Sequence, residues 1–158
     1  MRTSSKMIMT TLTLGLGLAA CGGSSDDDMG KFTGTWRTTS GSATWSCPGI
    51  GSSTSAVSTN IVWSKGVSSD LVQTEPGSSC VIEARASGST ATGSSSPCSV
   101  SDGSGGTDTL TVTSYTFVVA PDGRTAQESE SATVTDVNGG ATATCTVTET
   151  ASYEKVGN

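Results

Sequence analysis

The chain contains no histidine, and charged and aromatic residues make up only 14% and 4% of its 158 positions. Without histidine, the Ser-His-Asp and Cys-His forms of nucleophilic catalysis have no base. A zinc site would likewise need sulfur or carboxylate alone, yet no two cysteines stand in a C-x-x-C spacing. Gly103-Ser104-Gly105-Gly106 is glycine-rich but lacks the lysine and the strand-to-helix setting of a phosphate loop. The remaining catalytic pattern is a pair of carboxylates, and Glu128 and Glu130 do share one strand face. With few aromatics to stack a sugar and no long cleft-building loops, they read better as a solvated face, so no enzyme, cofactor or metal is expected.

The first residues have a different character from the rest. Arg2 and Lys6 precede a largely apolar run from Met7 to Leu18, followed by the small residues Ala19 and Ala20, which is the grammar of a secretory signal covering Met1 to Ala20. The run falls well short of the ~20 residues a membrane-spanning helix requires. Leu18-Ala19-Ala20-Cys21 resembles the bacterial lipobox, whose cysteine thiol is acylated before cleavage. The resemblance implies a palmitate-type lipid on Cys21 and a membrane as partner, since two or three acyl chains anchor stably where one does not. In Gram-negative lipoproteins an aspartate after the cysteine favours the inner membrane; Gly22 at that place implies the cell outer membrane. Residues 21–30, with Gly22-Gly23-Ser24-Ser25 and the acidic run Asp26 to Asp28, then form a flexible tether.

Removal of residues 1–20 leaves 138 residues and a net charge of −8, because Arg2 and Lys6 depart with no acid. That length suits a single domain over residues 31–158, and that charge repels nucleic acid. Serine, threonine and glycine dominate, no stretch repeats apolar residues at helical spacing, and the expected fold is all-β. Four cysteines remain after Cys21, an even number that reads as two disulfides in an exported protein. Ser87-Gly88, Asp102-Gly103, Pro121-Asp122-Gly123 and Asn138-Gly139-Gly140 each separate strand-like runs. The strands are placed near Phe32 to Cys47, Thr54 to Trp63, Asp70 to Thr74, Cys80 to Ser87, Thr90 to Val100 in broken form, Thr107 to Ala120, Thr125 to Val137 and Ala141 to Val156. Eight strands in an antiparallel up-and-down meander can close into a barrel.

Val57, Thr59, Ile61 and Trp63 alternate onto one face, as do Ala143, Cys145, Val147, Ala151 and Tyr153. The sixth strand changes parity between Leu110 and Val112 and the later set Tyr115, Phe117 and Val119, which predicts a β-bulge near Thr113 or Ser114. Phe32-Thr33-Gly34-Thr35-Trp36 resembles the F-x-G-x-W opening of lipocalin-type barrels. The resemblance implies that Gly34 lets the chain pass closely and that Phe32 and Trp36 close one barrel end. Lipocalins also carry an arginine on the last strand over that tryptophan; here the last strand offers Lys155.

The strand map brings all four cysteines to one end. First and eighth strands adjoin in a closed barrel, as do fourth and fifth, so the expected bridges are Cys47–Cys145 and Cys80–Cys98. A hairpin at Ser40-Gly41-Ser42, in place of a bend, would send Cys47 to the opposite end.

Two functions fit such a domain. In the first, the barrel is packed and the anchored protein has a structural or surface-interaction role, with Trp45 as a candidate contact with an envelope protein. In the second, the barrel holds a small apolar ligand lined by Val57, Ile61, Trp63, Phe117, Val147 and Glu149. Glu149 falls in phase with the inward set and calls for a partner such as Arg85 or Lys65.

Overall fold

Alternation of polar and apolar residues builds most strands of the domain. The computed structural model describes residues 29–101, 107–138 and 141–158. The signal segment, Cys21, the tether up to residue 28, the Gly103–Gly106 loop and Gly139-Gly140 lie outside the described residues. The strands are β1 (Gly34–Cys47), β2 (Gly51–Ala56), β3 (Asn60–Lys65), β4 (Leu71–Thr74), β5 (Val81–Ser87), β6 (Thr90–Ser95), β7 (Cys98–Ser101), β8 (Thr107–Val119), β9 (Thr125–Asn138) and β10 (Ala141–Gly157). Eight of them run antiparallel in the order β10-β9-β8-β6-β5-β4-β3-β1, and pairing of β10 with β1 closes the barrel. The other two are extensions: β2 pairs with the far half of β1, and β7 with β8.

The period of two is clearest in β5, where Ile82, Ala84 and Ala86 are buried while Glu83, Arg85 and Ser87 face out. In β8 the inward set changes phase as expected. The register with β9 jumps from Val112↔Ala132 to Ser114↔Ser131, leaving Thr113 as the extra residue, and its Oγ1 donates to the Ser131 carbonyl over 2.9 Å. The bulge keeps both Val112 and Tyr115 inside.

The second and fifth sequence strands each split. Between β2 and β3 the ladder gives way to threonine: Thr38 Oγ1 donates to the Thr59 carbonyl over 2.9 Å and accepts from the Thr59 amide over 3.2 Å. That side-chain pairing competes with sheet hydrogen bonding and breaks the strand at residues 57–59. β1 itself does not turn back at Ser40-Gly41-Ser42. It shifts register against β10 between Thr38 and Ser40 and continues to Cys47, which puts Cys47 opposite Cys145.

Both disulfides follow: Cys47–Cys145 with Cα atoms 4.3 Å apart, and Cys80–Cys98 with Cα atoms 5.2 Å apart. They sit at the rim, the end where β1 and β4 finish and β5, β8 and β10 begin.

The opposite end, the base, is shut by Phe32 and Trp36, both fully buried. Trp36 Nε1 donates to the Phe32 carbonyl over 2.7 Å, and the indole meets Phe117 edge-on with ring centroids 5.2 Å apart. Gly34 has φ of 125°, and a Cβ there would come within 2.2 Å of the Gly157 carbonyl oxygen, so only glycine lets β1 and β10 cross this closely. Lys155 Nζ lies 5.5 Å from the centroid of the Trp36 ring, a cation–π placement on the last strand.

Candidate functional site

Above the aromatic base the barrel interior opens into a cavity of about 330 Å³. That lies at the low end of the roughly 300–1,000 Å³ of small-molecule sites. Its floor is the packed ring set of Phe117, Trp63 and Tyr153, with Phe117 centroids 5.4 Å from Trp63 and 5.7 Å from Tyr153. Its apolar wall comes from Ala43, Ile61, Ile82, Val112, Val134 and Val147.

The polar wall is acidic. β9 alternates Ala126, Glu128, Glu130, Ala132 and Val134 toward the interior, so both carboxylates share the face of the buried alanines and valine. Glu130 stands opposite Tyr115 of β8 and opposite Glu149 of β10, while Glu128 stands opposite Phe117 and Ala151. The bulge at Thr113 makes this alignment, since it brings Tyr115 round to face Glu130. The Tyr115 hydroxyl donates to Glu128 Oε2 over 2.5 Å, which fixes that carboxylate in place. At the mouth, Glu75 accepts from Thr59 Oγ1 over 2.5 Å. Gln73 completes the set from β4. It is only 6% exposed, lines the cavity, and its side-chain amide has no hydrogen-bond partner among the described residues.

Burial and neighbouring carboxylates hold Glu128, Glu130 and Glu149 above the ordinary carboxylate range. Loss of solvent, with some opposition from the Tyr115 hydrogen bond, pushes Glu128 up to about 7. Burial followed by the nearby Glu128, Glu149 and Glu75 charges pushes Glu130 up to about 8. Burial and then Glu75 raise Glu149 as well. Tyr115 and Tyr153 are raised by burial first and by the Glu128 carboxylate second, so both phenols stay protonated donors. Among the described residues, no lysine or arginine lines the cavity to offset the four carboxylates. Near neutral pH the wall therefore holds protonated and ionised carboxyls side by side, ready to release protons to solvent when a positive charge enters.

Several expectations need correcting. Glu128 and Glu130 are not a solvated face: Glu128 is 6% exposed, and both line the cavity. Glu149 does point inward, but Arg85 lies on the outer face of β5 and neither it nor Lys65 lines the cavity, so the neighbour of Glu149 is another acid. Trp45 is half-buried on the cavity wall and does not mark an outer contact surface. Of the six residues expected to line a ligand site, Ile61, Val147 and Glu149 do so. Trp63 and Phe117 are sealed in the floor, and Val57 packs at the core margin, where the strand breaks.

Gln73, Glu75, Tyr115 and Tyr153 were missed as wall residues. Their signal was phase: Gln73 and Glu75 continue the alternation of buried Leu71, and Tyr115 sits one step before Phe117. A larger hollow of about 520 Å³ lies outside the barrel over β5 and β6, but its wall is chiefly exposed serine with Glu83 and Arg85. Among the described residues, no group of three or more Cys, Asp or Glu side chains is arranged to hold a metal ion.

Compared with known proteins, the chain matches no family model, no curated protein and no solved structure. The geometry of the barrel interior carries the functional reading alone.

Proposed function

We propose that this chain is a lipid-anchored envelope protein whose barrel holds a small molecule in the cavity above its aromatic base. The observation that carries the reading is the cavity itself, an open space of about 330 Å³ inside the barrel with Gln73, Glu128, Glu130 and Glu149 on its wall. A purely structural role rests on a filled barrel, and only the base half is filled. The wall also shifts the expected ligand from purely apolar to amphipathic, with aliphatic side chains on one part and carboxyls on another. Anchoring follows from the signal grammar and the lipobox-like Leu18-Ala19-Ala20-Cys21.

The test is native mass spectrometry of the full chain expressed in a bacterium and extracted in detergent. The expected spectrum shows a chain beginning at acylated Cys21 with a small-molecule adduct, and Val147→Trp, which fills the cavity, loses the adduct. An adduct that survives Val147→Trp, or no adduct at all, contradicts the binding reading; an intact Met1 contradicts the anchor.

A further inference from the structure

Resting on the reading of the barrel as a small-molecule binder, we infer that its cavity selects an organic cation, a compact molecule with a protonated amine head on a short apolar or aromatic body. Three independent features of the wall converge on that chemistry.

The first is the balance of donors and acceptors. Glu75, Glu128, Glu130 and Glu149 contribute up to eight carboxylate oxygens, and among the described residues no lysine or arginine lines the wall to meet them. Among the described residues, the ion pair between Arg37 and Glu154 lies on the outside of the barrel, where both side chains are exposed. A wall so rich in acceptors is complementary to a head group that brings donors and positive charge. An ammonium brings three N–H donors and one full charge; an anion would be repelled, and a neutral ether or hydrocarbon would leave the carboxyls desolvated and unpaired.

The second is Gln73. The residue is 6% exposed, lies on the cavity wall between Trp63 of β3 and Ile82 of β5, and its amide makes no side-chain hydrogen bond among the described residues. Its carbonyl offers a neutral acceptor beside the carboxylates, a position suited to one N–H of the same head group.

The third is the aromatic surface. Tyr115, Tyr153 and Trp45 line the cavity, and rings beside a desolvated cation attract it through their quadrupoles. The same rings and the Ile61, Val134 and Val147 side chains accept an apolar body. The size of the cavity argues against a bare metal ion, as does the absence of a three-ligand cluster among the described residues. The chain's net charge of −6 favours the approach of a cation to the mouth.

Proton linkage supports the assignment. A cation bound against Glu128 and Glu130 favours their ionised forms, so binding near pH 7 expels protons and tightens as pH rises toward 8. The titratable groups facing the pair are Glu75 from the β4–β5 connection, Tyr115 from β8, and Glu149 and Tyr153 from β10. None of them contributes a competing positive charge.

The test is isothermal titration of the full chain in detergent with three probes of matched shape: 2-phenylethylammonium, 2-phenylethanol and phenylacetate. The ammonium is expected to bind at least tenfold more tightly than the alcohol, with phenylacetate weakest, and to release protons in buffers of different ionisation heat. In Glu130→Gln/Glu149→Gln, which keeps side-chain volume and removes repulsion, the ammonium's advantage is expected to fall below threefold while the thermal midpoint holds or rises. If the alcohol binds as well as the ammonium, or the double variant keeps the tenfold preference, the cation assignment is wrong and the cavity remains a ligand site of other chemistry. If none of the three binds at millimolar concentration, the assignment and the binding reading fall together.

Discussion

The same strands build two unlike halves of one barrel. Toward the base, inward positions are Phe32, Trp36, Trp63, Leu71, Phe117 and Val119, all at most 1% exposed, with Ala91 and Ala126 as small counterparts between them. Toward the rim, the next inward positions on the same strands are Gln73, Glu128, Glu130, Glu149, Val134 and Val147, and they enclose empty space. Large side chains opposite small ones fill the lower half to interior density; medium side chains opposite one another cannot fill the upper half. The chain thus places a packed aromatic base at one end and a carboxyl-lined opening at the other. The disulfides stand where the second half is weakest, both at the rim.

Substitutions at the base should be the most damaging. Trp36→Ala removes the indole, its hydrogen bond to Phe32 and its edge contact with Phe117, and is expected to cost ~3–5 kcal/mol in chemical denaturation of the full chain. Val147→Ala, at the edge of space already open, should cost clearly less; an equal loss would show that the two halves are packed alike.

Next come the rim bridges. Cys47→Ala/Cys145→Ala opens a loop with a sequence separation of 98 and should cost ~2–4 kcal/mol, more than Cys80→Ala/Cys98→Ala with its separation of 18. Thermal melts of the two double variants compare them directly.

Around neutral pH, the pH dependence of stability is expected from the carboxyls of the upper half. Folding raises Glu128 from an ordinary 4.5 to about 7 and Glu130 to about 8, so between those values the folded chain holds more protons than the unfolded one. Stability is therefore fullest below pH 4.5 as far as these groups are concerned, and is lost progressively as pH rises from there through 7 and 8. Glu130→Gln should flatten the profile and raise the melting temperature at pH 9. A profile unchanged by that substitution would place the carboxyl in solvent. The smallest effect is expected from Lys155→Ala, which removes the ammonium over Trp36 and should cost ~0.5–1 kcal/mol, measured by denaturant midpoint.

How much of this was legible beforehand differs between the halves. The closed end was legible only through the likeness of Phe32, Gly34 and Trp36 to the opening of lipocalin-type barrels, and Lys155 stands where that likeness places a cation over the tryptophan. Strand order, the bulge at Thr113 and both bridges followed from alternation and counting, which depend on local geometry. The upper site was hidden by a composition rule: glutamates on a strand are usually outside, and that prior outweighed the phase that Glu128 and Glu130 share with Ala126, Ala132 and Val134. The break at residues 57–59 was also hidden, since Thr38 reaches Thr59 across 21 positions of sequence. Side-chain partners that distant leave no local mark.

The most direct test of the contrast between the halves is a carbon-detected NMR titration of the glutamate side-chain carboxyls, assigned through Glu128→Gln and Glu130→Gln. Two carboxyls titrating with apparent midpoints near 7 and 8, and moving down when an organic cation is added, would match an acid-lined cavity. Both titrating at the ordinary 4.5 would mean that β9 turns these side chains to water, and the site would not exist.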